Sequence, residues 1–93
     1  MDIKFADAPE RSRYELTSGE EVIGFIDYRL HGDVITMVHT EVDEAYSGEG
    51  HAGTLARSAL DDARSRGLSV VPSCPYVASY VEKHPGDADL VRH

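Results

Sequence analysis

Residues 34–63 read VITMVHTEV, then DEAYSGEGHAGT, then LARSALDDA, and the fold turns on how these three pieces join. The first carries Val34, Ile35, Val38 and Val42 in uneven alternation with polar residues, which suits a strand covered in part on both faces. In the third, Leu55, Ala56, Ala59, Leu60 and Ala63 recur at helical spacing opposite Arg57, Ser58, Asp61, Asp62 and Ser65, the pattern of an amphipathic helix. Asp62 stands four residues before Arg66, a favourable pair on one face, and Gly67 is placed to take the left-handed conformation that stops the helix. The strand therefore feeds the helix through Tyr46-Ser47-Gly48-Glu49-Gly50-His51-Ala52-Gly53-Thr54, a loop whose glycines lie against the helix start.

Upstream, Tyr14-Glu15-Leu16-Thr17 meets the turn pair Ser18-Gly19, and residues 21–30 form a run rich in β-branched and aromatic side chains. That predicts a hairpin, and His31-Gly32-Asp33 turns it into the strand at 34–42, so three antiparallel strands precede the helix. Residues 1–12 have mixed charge and little periodicity and read as a loosely ordered lead-in with room for one short strand. Downstream, Leu68-Ser69-Val70-Val71 is a short buried strand, and Pro75 suits the first turn of a second helix marked by Val77, Tyr80, Val81 and His84. Pro85 and Gly86 end that helix. The order β-β-β-α-β-α describes an α+β fold, a mostly antiparallel sheet of four to five strands with two helices.

Ninety-three residues with 41% hydrophobic content supply one core, so the expectation is a single domain over 1–93, as a monomer or a weak homodimer. No apolar run approaches the roughly 20 residues of a membrane helix and the amino end lacks a secretory apolar stretch, so a cytoplasmic protein without a membrane partner is expected. The net charge of −8, from 17 acidic and 9 basic side chains, repels phosphate backbones and argues against nucleic acid as a partner. The same field favours amines, though an acidic surface often serves only solubility. Cys74 is the single cysteine and the five histidines are scattered, so neither an internal disulfide nor a metal site is expected.

Glycines at 48, 50 and 53 let main-chain N–H groups converge without side-chain obstruction, and the helix start adds unpaired donors and the positive end of its dipole, which together suit a pyrophosphate. The loop has neither the lysine nor the length of a Walker motif, and it follows a meander instead of opening a Rossmann unit. Read alone, it is equally compatible with an ordinary glycine-rich turn.

Over residues 13–91 the chain resembles the small YjdJ-type branch of the GNAT N-acetyltransferase superfamily. The resemblance is carried by His39-Thr40-Glu41-Val42, by Gly48-Glu49-Gly50-His51-Ala52-Gly53, by Ala59-Leu60-Asp61-Asp62-Ala63-Arg64 and by Val70-Val71-Pro72-Ser73-Cys74-Pro75-Tyr76-Val77. It implies a shortened acyl-CoA N-acyltransferase fold and an acetyl-CoA cosubstrate. Thr40, Val42 and the loop from Ser47 through Thr54 would hold its pantetheine and pyrophosphate, and the helix from about Ala52 would receive the phosphates. Where the superfamily loop usually has Arg or Gln, this chain has Ser47; Gly50 and Ala52 match, and His51 stands where an aliphatic residue is common. His51 is either a titrating contact to phosphate or a loop histidine without a role.

The resemblance also makes Cys74 the candidate catalytic residue, as acetyl acceptor or as general acid. At the start of a helix the dipole and free N–H groups favour its thiolate, and inert packing is the alternative. His39 and Glu41, two apart on one strand, share a face and either can serve as base; the plainer reading is a core-facing histidine and a rim glutamate. Tyr76 and Tyr80, four apart, either line the cofactor channel and donate to the leaving thiolate or form a core pair. The leading function is an acetyl-CoA-dependent N-acetyltransferase acting on an unidentified primary amine. The alternatives are a noncatalytic CoA-binding sensor or adaptor, since the helices that shape the acceptor pocket in larger members are missing, and a protein-interaction domain using an exposed sheet edge.

Overall fold

The computed structural model describes residues 3–46 and 48–92. Five strands, β1 (Ile3–Ala8), β2 (Arg13–Ser18), β3 (Glu21–His31), β4 (Val34–Val42) and β5 (Ser69–Pro72), lie side by side in chain order. The first three junctions are antiparallel, and β4–β5 is parallel because helix α1 (His51–Ser65) crosses over between them. Helix α2 (Pro75–Lys83) follows β5, and a 3-10 segment, Pro85–Leu90, closes the chain against the core. Gly19 and Gly32 take positive φ at the two expected hairpin turns, and Gly67 does so at the end of α1.

One core joins the sheet to both helices. Tyr14, Leu16, Ile26, Ile35, Met37 and Val70 project from the strands onto Leu55, Ala59, Leu60 and Ala63 of α1 and Val77 and Val81 of α2, all buried. The apolar stripe expected for α1 is the face that packs. At Gly24 a Cβ would stand 2.9 Å from Leu55 Cδ1 and 3.1 Å from Glu41 O, so the missing side chain lets α1 settle onto the sheet. The smallest principal extent of the fold is 19 Å, that of two layers, and among the described residues the opposite sheet face carries no helix.

Two departures from the sequence reading matter. The lead-in, expected to be loosely ordered with room for one short strand, forms an edge strand over Ile3–Ala8, paired in register from Ile3 opposite Ser18 to Ala8 opposite Arg13. Phe5 stacks on Tyr14 at 5.2 Å, and Asp7 accepts from Tyr28 Oη at 2.6 Å and from Arg66 at 3.2 Å, so distant residues supply the order that local pattern lacks. Burial and then Asp7 push the Tyr28 phenol up to about 12. Second, the β3–β4 ladder carries a bulge: Asp27 pairs with His39 but Tyr28 with Met37, leaving Val38 without a partner. The extra residue reverses the side-chain phase. Ile35 and Met37 face the helices before it, while beyond it His39 and Glu41 turn to the open face, with side-chain exposures of 57% and 62%. His39 is therefore not a core histidine.

β4 and β5 pair only as far as Met37 opposite Pro72. Proline has no N–H to extend the ladder, and the chain turns away until Cys74 N–H donates to Met37 O at 2.8 Å. The outer half of β4 thus borders a gap, with the start of α2 on the other side. Among the described residues, no helix is long and apolar enough to cross a membrane.

Candidate active site

The loop after β4 makes one short 3-10 turn, Glu44–Tyr46, and then enters α1 through two glycines with φ of 81°, Gly48 and Gly50. That left-handed backbone is what glycine tolerates best, and a Cβ built at either position meets nothing within 4 Å. Gly50 caps α1 without any side-chain hydrogen bond, and Thr54 N–H donates to Gly50 O at 3.1 Å. By helix geometry the N–H groups just before that bond point out of the helix end. They border a cavity of about 180 Å³ whose lining includes Gly48, Gly50, His51, Ala52 and Gly53 from the loop and helix, Val42 from β4 and Tyr76 from α2. Seven of the residues expected from sequence for the cofactor are thus brought to one hollow, which suits an anionic group held by main-chain donors. Gly53 keeps the floor low: a Cβ there would lie 3.7 Å from Tyr76 Oη.

At the far end of the gap sits Cys74, the N-cap residue of α2, 3% exposed. Its Sγ is 3.2 Å from Thr40 Oγ1, and Thr40 reaches it because the bulge has turned that side chain inward. Burial pushes the thiol up, but the Thr40 hydroxyl and the backbone N–H groups of Val77, Tyr76 and Thr40 outweigh it, and the net shift is downward, toward thiolate. Packing alone explains the burial of Cys74 but not the Thr40 hydroxyl set against its sulfur.

His39 and Glu41 lie on the opposite face, 3.6 Å apart, and do not join Cys74. Beside them is a larger hollow of about 360 Å³, lined by Arg13, Phe25, Glu41 and Asp43 among others. The Arg13 guanidinium lies 4.6 Å over the Phe25 ring and is held by Glu15 at 2.7 Å. Two carboxylates, Glu41 and Asp43, line this hollow, and Arg13 already covers the Phe25 ring at its edge.

Thr54 turns its hydroxyl back to Gly50 O at 3.3 Å; Glu49 stands at the rim, 58% exposed. Tyr80 leaves the cavity and stacks on His84 at 4.0 Å, with Arg57 5.9 Å from its ring. Ser47 lies outside the described residues. Tyr46, which also lines the smaller cavity, was not anticipated, although an aromatic residue two positions before the first loop glycine was a usable signal. Arg13 and Phe25 were legible only as strand residues, because their meeting depends on cross-strand register. Among the described residues no cluster suited to a metal ion is found.

A family model described as GCN5-related N-acetyl-transferase matches residues 13–90. Protein NATD1 of Gallus gallus and that of Mus musculus are each 38% identical to the chain over 52 residues, 56% of this chain and 47% of theirs. The match thus spans just under half the length of those relatives. The solution structure of a GCN5-like protein of Staphylococcus aureus aligns with a TM-score of 0.71 at 22% identity, over 98% of this chain and 87% of that one. The crystal structure of the ribosomal-protein-S18-alanine N-acetyltransferase of Escherichia coli aligns with a TM-score of 0.63 at 20% identity, over 80% and 50%. At those identities the two structures speak to the fold.

Proposed function

Because this chain belongs to the GCN5-related N-acetyltransferase family, in a shortened version of the family's fold, we propose that it binds acetyl-CoA and transfers the acetyl group to a primary amine. The observation that carries the reading is an arrangement along the unpaired half of β4: Val42 lines the glycine-rich cavity at the start of α1, and Thr40, two residues before it, contacts Cys74. Gly48, Gly50, Ala52 and Gly53 would hold the pyrophosphate through main-chain N–H groups, and Thr40, Val42 and Tyr76 would flank the pantetheine arm. Acetyl-CoA supplies the activated acyl group as a thioester.

Cys74 would exchange a proton or an acyl group with the cofactor's thioester, and its lowered proton affinity suits either task. Tyr76 is a second proton donor. His39 and Glu41, on the open face, would receive the proton of an amine arriving from that side, with the Phe25 and Asp43 hollow holding the rest of a cationic acceptor. One observation favours the noncatalytic module instead: the short turn Pro9–Arg11 joins β1 to β2, so among the described residues no element covers that face.

Titrating the labelled protein with acetyl-CoA tests the cofactor site, with shifts expected at 48–54, Cys74 and Tyr76. No shift at millimolar cofactor abandons the acetyltransferase reading. If binding is seen, an amine screen following release of free CoA separates the two remaining readings. Turnover lost in Cys74→Ala with affinity retained marks the enzyme; tight binding without any turnover marks the module. Intact mass of wild type and Cys74→Ala after cofactor addition distinguishes an acetylated thiol from an acid role.

A further inference from the structure

His51, the first residue of α1, has no part in that scheme. Among the described residues it is the one side chain lining the smaller cavity that can carry positive charge; the rest of the lining is glycine, alanine, valine and two tyrosines. Its side chain is only 13% exposed and lies edge-on to the Tyr46 ring, at 6.1 Å and 64°. The groups around it are acidic or neutral. Glu49 Oε1 stands 3.6 Å from Nε2. Tyr46 donates its hydroxyl to Glu21 at 3.3 Å, Asp43 begins the same loop, and Tyr76 faces His51 across the cavity from α2. Main-chain donors carry only partial charges, and a diphosphate entering here meets Glu49 at the rim. A full positive charge inside the cavity is available only if the imidazole takes up a proton.

We propose that His51 is a protonation-dependent phosphate contact, binding the diphosphate of the cofactor as an imidazolium and drawing in a proton when it does so. The proposal rests on the acetyl-CoA reading. An incoming diphosphate favours the charged ring, and Glu49, at the exposed rim, is free to yield its position to the anion. By linkage, if the anion prefers the imidazolium, affinity is high at low pH and declines as the pH rises through the histidine range.

The test is isothermal titration calorimetry with dephospho-coenzyme A. It lacks the 3′-phosphate, whose second ionisation near about pH 6 would obscure the result, and its diphosphate stays charged throughout. Wild type is expected to bind about tenfold more tightly at about pH 5.5 than at about pH 8, the effect of one charge-assisted hydrogen bond. Titrations near neutral pH in buffers of different ionisation enthalpy should show net proton uptake. His51→Gln should lose both signatures, and His51→Arg should bind tightly at both pH values. An unchanged pH profile and proton uptake in His51→Gln overturn the assignment while leaving the cofactor site standing. A flat profile without proton uptake in wild type does the same and needs no variant. No binding at any pH overturns the cofactor reading and this assignment together.

Discussion

At its C-terminal end α1 is tied down by side chains: Asp62 accepts from Tyr14 Oη at 2.7 Å and from Arg66 at 3.1 Å, and Arg66 reaches on to Asp7 of β1. Along the same helix, Arg57 and Arg64 grip Asp87 and Asp89 of the terminal 3-10 segment. Its N-terminal end has no side-chain cap, is reached through two left-handed glycines, and borders a cavity. A helix built for stability alone gains from a capping side chain, typically about 1 kcal/mol. Leaving that gain unused at one end, while satisfying polar groups with ion pairs at the other, keeps main-chain donors available to a ligand. On the proposed function, the two ends divide stability from binding.

The largest effect expected on the anchored side comes from Asp87→Ala. Asp87 is 5% exposed and accepts two 2.7 Å bonds from Arg57, whose Nε is already buried without a partner. Its loss should cost about 2 kcal/mol, a fall in Tm of about 10 °C, with acetyl-CoA affinity within about twofold of wild type. A comparable loss of affinity would break the division. On the open side, Gly53→Val should do the reverse. Its side chain enters the cavity near Tyr76 Oη, so affinity should drop by about tenfold or more, about 1.4 kcal/mol, without a lower Tm, because glycine is the poorer helix former.

Glu15→Gln asks whether anchoring extends to the helix-free face. Glu15 is 6% exposed there and is held by Arg11 and Arg13, each at 2.7 Å. Hydrogen bonding to Arg11, and then to Arg13, against the opposing effect of burial, holds its carboxyl below the usual range. The contribution of a depressed carboxyl is complete above its unfolded value of about 4.3 and is lost as the pH falls through the lower folded value. Wild type should therefore be the more stable by about 1 kcal/mol near neutrality, and its Tm should fall more steeply than that of Glu15→Gln on acidification below about pH 4. The smallest effect is expected from Glu49→Gln. Removing a carboxylate 3.6 Å from His51 at an exposed rim should raise acetyl-CoA affinity by about twofold and leave Tm within about 1 °C.

Local pattern determined much of this protein by itself. Apolar spacing placed the packed face of α1, turn chemistry at Gly19, Gly32 and Gly67 bounded three elements, and Pro75 opened α2, because each depends on residues a few positions apart. The turn glycines of the loop before α1 were legible for the same reason. Tertiary structure decided the rest. The bulge at Val38 arises from pairing with β3: strand alternation already separates Thr40 from His39 and Glu41, but the bulge decides that Thr40 takes the face of Cys74 and the other two the open face. The order of β1 rests on Tyr14, Tyr28 and Arg66, and the anchoring of the last residues on Arg57 and Arg64. These partners lie up to 59 positions apart, and long-range contacts of that kind leave no periodic trace in the chain that makes them.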